Sequence, residues 1–181
     1  MNVILDLRPG FKRRIWAHLL QNDLEQMAFA FAGVDGADPM VFTPKEVYFA
    51  PPDDFALQTS HGLELGDEAR ARIIKHAWDT ETALVEFHSH PTDRQPAMFS
   101  GSDLAGFAEF VPHCRWRLRG RPYLALVVNP VGVDALVWTA HPRSPIALNA
   151  IRLVSGRRIV PSHRTIAAIR AEGPEHGPGA L

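Results

Sequence analysis

The chain has a single cysteine, Cys114, among its 181 residues. No intrachain disulfide can form, and no Cys-x-x-Cys pair exists to hold a metal. That excludes the zinc chemistry of the nucleoside deaminases, which needs such a pair. Lysine is almost absent too, with only Lys12, Lys45 and Lys75. The formal net charge is -1, which gives no electrostatic reason to expect nucleic acid or an anionic membrane as a partner. No apolar run approaches the roughly 20 residues that span a bilayer. The opening stretch MNVILDLRPGFKRR puts its apolar residues before its basic ones, the reverse of a secretory signal. The expected setting is therefore cytoplasmic.

What is present is an ordinary globular composition, 46% hydrophobic and 22% charged, so a core can form without cross-links. Residues 10–22 carry Phe11, Ile15, Leu19 and Trp16, Leu20 at helical spacing and predict an amphipathic helix. In residues 26–32, Met27, Phe29 and Phe31 alternate with small residues. That pattern predicts a strand whose opposite face is closely packed. Gly33 to Pro39 reads as a turn, and residues 40–51 as one strand or two interrupted by Pro44. Phe55 to Thr59 is a further short strand. Residues 66–78 predict a helix with Asp67 as N-cap. TALVEFHSH, residues 82–90, is a strand stopped by Pro91, and the stretch after it is a loop. A helix then starts near Asp103 and is interrupted near Pro112. PYLALVVNP and ALVWTA are strands, AIRLVS is the expected last strand, and HRTIAAIRA a short closing helix. The pattern is one α/β (α+β) domain over residues 1–170, helices packed on a mixed sheet, with a Gly- and Pro-rich tail, 171–181, expected to be disordered.

The chemistry concentrates in EFHSHP and SGSD. Side chains alternate along a strand, so His88 and His90 share a face, about 7 Å apart along the chain direction. Two imidazoles there can converge on one ion if the strand end curls, and neutral imidazole is a common zinc ligand. Two histidines can equally be polar residues at a sheet edge. Ser100 and Asp103 have the spacing of a capping box at a helix start. Capping and ligation are compatible: a helix N-terminus fixes the backbone around Asp103 and makes its carboxylate a rigid third ligand. Two histidines, one carboxylate and one open position describe a catalytic zinc site rather than a closed structural one.

HSHP followed by Ser-x-x-Asp resembles the JAMM motif of the JAB/MPN metallopeptidases, in their small prokaryotic type. The resemblance covers roughly residues 10–155. It implies a curved mixed β-sheet flanked by helices, MPN/JAB-like and related in form to the cytidine deaminases. It implies one zinc per chain on His88, His90 and Asp103. It also implies an upstream glutamate over the metal, which Glu25 matches at the start of LEQMAFAFAG, and a serine donor to the oxyanion, which Ser100 matches. Ser102 is a rival, but only Ser100 has the three-residue offset from Asp103. The spacer 91–99 is slightly longer than the family's usual one, and a loop can absorb the difference.

In the mechanism so implied, Glu25 takes a proton from water and delivers it to the leaving amine. Glu86 shares strand parity with both histidines, so it is either a rival base or a partner that orients a histidine. The implied reaction is hydrolysis of a peptide or isopeptide bond at the C-terminal tail of a ubiquitin-like or sulfur-carrier protein, alongside activating and conjugating enzymes. Asp35 to Pro52 and Thr92 to Phe99 are the candidate segments for holding that tail. A non-catalytic MPN-type scaffold and a metal hydrolase of small molecules are the alternatives. The other polar and aromatic residues read more plainly. His18 and His76 are rim residues, Cys114 a small core residue, and the four tryptophans core. Arg115, Arg117, Arg119 and Arg121 form either a solvated face or a surface for an acidic partner.

Overall fold

The computed structural model describes residues 1–153 and 155–171. Among these residues, strands and helices follow along the chain, with a short 3-10 turn at Pro52–Asp54 before the fourth strand. They are β1 (Val3–Leu7), α1 (Pro9–Leu19), β2 (Met27–Asp35), β3 (Met40–Phe49), β4 (Phe55–Gln58), β5 (Leu63–Leu65), α2 (Asp67–Asp79) and β6 (Ala83–Ser89). Then come α3 (Gly101–Arg117), β7 (Tyr123–Val128), β8 (Val133–Trp138), β9 (Ile146–Ala147), β10 (Ala150–Leu153), β11 (Arg158–Ile159) and α4 (Arg164–Ala171). Among the described residues nine strands make one curled mixed sheet in the order β11-β10-β1-β3-β2-β6-β7-β8-β9, and β4 pairs with β5 in a separate hairpin. The pairs β1–β10, β1–β3 and β6–β7 are parallel and the rest antiparallel. The expected α+β class, a curved mixed sheet flanked by helices, is what the chain forms.

Strand alternation sorts the core into two layers. Ala28, Ala30 and Ala32 of β2 join Val85 and Phe87 of β6 beneath Ile15 and Leu19 of α1. Phe29 and Phe31 point the other way, with Tyr123 and Trp138, toward Ile73 and Ile74 of α2 and Phe107 and Val111 of α3. The small residues of β2 let α1 approach closely, as the alternation predicts. Among the described residues no helix is long and apolar enough to cross a membrane.

Several expectations need correction. Val3–Leu7 is an inner strand, with Val3, Leu5 and Leu7 fully buried. Its five residues are too few for periodicity to declare them. AIRLVS is not the last strand, because β11 returns antiparallel to β10. Gly66, not Asp67, caps α2, and Asp67 is its first helical residue, where its charge faces the positive end of the helix dipole. Pro112 does not interrupt α3. The carbonyl that loses its partner belongs to Ala108, which is exposed, so water can bond it. Pro44 does not split β3 either. The register steps from Phe31↔Glu46 to Ala32↔Pro44, a bulge that absorbs the missing donor.

Trp138 is core and Trp16 partly so, but Trp78 and Trp116 are 40% and 73% exposed on outward helix faces. The arginine stretch divides. Arg115 is buried and donates to the carbonyls of Gly120 and Thr139, and Arg121 donates to those of Ala77 and Thr82. Arg117 and Arg119 stay exposed over Trp116 and Trp78. The tail expected to be disordered lies, Ala171 apart, outside the described residues.

Candidate metal centre

Three chain segments meet at one end of β6. The first is β6 itself. His88 lies opposite Met27 of β2 and Val127 of β7, in the middle of the sheet. Ser89 is turned to the opposite face, where its hydroxyl accepts the Gln26 N–H at 2.9 Å and its own N–H donates to the Gln26 carbonyl at 3.1 Å. His90 N–H donates to the Val128 carbonyl at 2.9 Å. The strand end is thus tied on both sides while the two histidines face α3, with ring centres 5.2 Å apart.

The second segment is the start of α3. Ser100 is its N-cap. Its hydroxyl accepts the Asp103 N–H at 3.1 Å, and Asp103 Oδ2 accepts the Ser100 N–H at 2.7 Å, a reciprocal capping box. The same Oδ2 lies 3.5 Å from His88 Nε2 and 3.3 Å from His90 Nε2. One ligand atom from each of His88, His90 and Asp103 lies within 4.8 Å of the others. Capping and convergence on the histidines therefore coexist in one side chain.

The third segment is the entry to β2. Glu25 N–H donates to the Thr59 carbonyl at 2.8 Å, and the Glu25 carbonyl accepts from the Gln58 side chain at 2.9 Å. The β4–β5 hairpin thereby holds Glu25 with Oε1 3.8 Å from His90 Nε2. The hairpin is itself tied to α2. The Asp54 carboxylate accepts from Tyr48 Oη and Arg72, and the Asp54 carbonyl from the Gly66 N–H.

His88 is 3% exposed, and neither ring nitrogen has a hydrogen bond. The 3.5 Å separations from Asp103 Oδ2 and, at Nδ1, from Glu86 Oε1 are long for hydrogen bonds. A buried ring whose nitrogens both lack a hydrogen bond is costly to hold. The donor set of two imidazoles and one carboxylate could hold a metal ion there. Glu86 sits on the far side of His88 from Asp103, and Tyr123 Oη donates to its other oxygen. A carboxylate behind a metal-binding histidine is the arrangement that selects its tautomer.

The charges shape one another. Burial by itself pulls the His88 pKa down, but the Asp103 and Glu86 carboxylates outweigh it and lift it to about 10. Burial pushes the Asp103 carboxyl up, and the two histidines and the Ser100 N–H outweigh that, holding it well below the usual carboxylate range. Burial raises Glu25, with His90 and His88 pulling the other way, so it becomes a better proton acceptor. Cys114 is pushed up to about 12 by burial and stays a thiol, which suits its place in the core.

Glu25, Glu86, His88, His90, Ser100 and Asp103 all line one cleft of about 1050 Å³. Of the segments expected beside it, Thr92 and Asp93 line the cleft and no residue of 35–52 does. The hairpin takes that place through Leu57 and residues 60–65. The strand predicted at Phe55 to Thr59 was half the signal. The Ser60-His61-Gly62 turn and Leu63–Leu65 after it complete a strand–turn–strand pattern that is too short to stand out.

No model of a protein family matches the chain, and no curated protein matches it. Among solved structures the chain is similar to the solution structure of protein DSY2949 from Desulfitobacterium hafniense. The two are 17% identical, with 90% of this chain and 97% of that one covered and a TM-score of 0.49. The chemistry must be read from the site's own residues.

Proposed function

We propose that this chain is a zinc-dependent peptidase or isopeptidase of the JAMM type, with one zinc held by His88, His90 and Asp103. The observation that carries the reading is the buried His88 ring, without a hydrogen bond on either nitrogen, facing a second imidazole and a rigid carboxylate. A bound zinc supplies Lewis acidity, polarising a carbonyl and lowering the pKa of water toward ~7.

The chain's own groups do the rest. Glu25, raised by burial and 3.8 Å from His90, accepts a proton and passes it to a leaving amine. Ser100 Oγ, held between the Asp103 N–H and Ser102 Oγ, offers its hydroxyl to a developing oxyanion. Glu86, backed by Tyr123, orients His88 rather than acting as the base, because it lies behind the ring.

The substrate in this reading is the extended C-terminal tail of a ubiquitin-like or sulfur-carrier protein, as precursor or conjugate, acted on alongside activating and conjugating enzymes. The outer edge of β5 supports it. Leu63, Glu64 and Leu65 line the cleft, and that edge has no backbone partner among the described residues. An extended tail can add to it as a strand. A cytoplasmic setting suits a chain whose one cysteine is buried and unpaired.

The test is zinc per chain in the purified protein, beside His88→Ala and Asp103→Ala. One zinc in the wild type, lost in both variants, and cleavage of a ubiquitin-like fusion lost in Glu25→Ala, support the reading. A wild type that takes up no zinc sinks it and leaves the scaffold.

A further inference from the structure

We infer that Thr165 and Asp134 are positioning residues for the metal centre, acting through the loop 91–99 that joins its two halves. The inference rests on the zinc reading above, and it concerns a part of the chain remote in sequence from every ligand.

Asp134 is the second residue of β8 and is fully buried. Its carboxylate is satisfied entirely by hydrogen bonds. Oδ1 accepts the N–H groups of Ala135 and His163, each at 2.9 Å. Oδ2 accepts the Thr165 N–H at 2.9 Å and the Thr165 hydroxyl at 2.7 Å. Four donors meet the hydrogen-bonding capacity of this buried carboxyl group. They also anchor the start of α4. His163 has a φ of 59°, uncommon for a residue with a side chain, and Asp134 holds its N–H in that conformation.

The consequence lies on the other side of Thr165. Its hydroxyl proton points at Asp134, so its lone pair is left to accept, and it accepts the Phe99 N–H at 3.0 Å. Phe99 directly precedes Ser100, the cap of α3. Its ring packs on His88 at 5.4 Å and on Phe107 at 5.3 Å between centres. Three more bonds hold the same loop to the same framework. Asn129 donates to the Gln95 carbonyl at 2.8 Å, Arg164 to that of Pro96 at 3.0 Å, and the Ser162 hydroxyl to that of Ala97. His90 and Asp103 are the two ligands that this loop separates. Free to move, it would leave Asp103 searching for the histidines. Fixed by the β8–α4 framework, it delivers Asp103 and Ser100 in register with β6.

Thr165→Val keeps the shape and removes both hydrogen bonds, while Thr165→Ser keeps both. The probe is zinc alone, in competition with a chromophoric chelator, well below the unfolding temperature of each metal-free variant. Thr165→Val is expected to weaken zinc binding by about 10-fold, the low end of what is lost when a direct hydrogen-bond partner of a ligand is removed, because Thr165 acts on the ligands only through the loop, with Thr165→Ser restoring it. The visible spectrum of the cobalt-loaded protein should change in Thr165→Val and not in Thr165→Ser. A purely structural role would lower the unfolding temperature and leave both readouts alone. Should Thr165→Val not fold, Ser162→Ala combined with Arg164→Ala releases the loop from two exposed side chains, and zinc binding should again weaken. Unchanged zinc affinity in a folded Thr165→Val, or in that double variant, overturns the inference and spares the zinc reading. A wild type without zinc affinity overturns both.

Discussion

In the proposed zinc site, a bound ion would have to displace a proton from His88, and the carboxylates around that ring set the cost. In the metal-free chain the Asp103 and Glu86 carboxylates lift the His88 pKa to about 10. Below that pH the ring carries a proton on the nitrogen the metal needs. Each pH unit is worth about 1.4 kcal/mol of proton competition, so from pH 6.5 to 8.0 zinc affinity should rise by about 2 kcal/mol, roughly 30-fold. A histidine at its ordinary 6.5 would stop competing soon above neutrality, and the rise would flatten there. Calorimetric titration with zinc in buffers of different ionisation enthalpy counts the protons directly, and close to one should leave His88 per zinc at pH 7.5. The same shift acts on stability. A folded-state pKa above the unfolded value stabilises the metal-free chain fully below about pH 6.5, and that contribution fades as the pH climbs toward 10. The metal-free unfolding temperature should therefore drop across that window, and the zinc-loaded one should not follow it. Flat zinc affinity from pH 7 to 8 with no proton release would refute the coupling of His88 to its two carboxylates.

Other perturbations separate the remaining roles. Ser100→Ala should cost about 1 kcal/mol through the lost cap, read as ~2–4 °C in thermal unfolding. It should also cost about 10²–10³ in turnover of a ubiquitin-like fusion, far beyond what that stability loss explains. Glu25→Gln should keep its zinc and lose about 10²–10⁴ in turnover, whereas Glu86→Gln should lose roughly 10–100-fold in zinc affinity. The reverse assignment in metal titrations and kinetics would exchange the two glutamates. Leu5→Ala, in the fully buried middle of β1, should destabilise by about 2–5 kcal/mol in denaturant titration. A loss under ~0.5 kcal/mol would contradict β1 as an inner strand.

Much of this protein was readable from local pattern. The alternation in QMAFAFA predicts the two unlike faces of β2, because a strand's side-chain period of two is independent of what packs on it. His88-x-His90 predicts a shared face for the same reason, and Ser100-x-x-Asp103 predicts a capping box because its bonds close within one helical turn. The short pieces were not readable. Val3–Leu7 is a strand because partners remote in sequence complete its hydrogen bonds, whereas Leu63–Leu65 and Arg158–Ile159 close local hairpins but are only three and two residues long, too short for a period to show. Trp116 and Arg115 were misplaced because periodicity does not say which helix face meets the sheet. Only the tertiary structure decides how the site is completed. Glu25 reaches His90 through a hairpin that starts thirty residues on, Glu86 lies behind His88 because Tyr123 of a neighbouring strand holds it, and loop 91–99 is fixed by Asp134 and Thr165. Local sequence determines which groups a segment can present and on which face. Their distances to groups elsewhere in the chain are set by long-range pairing and burial, and no neighbour in sequence encodes them.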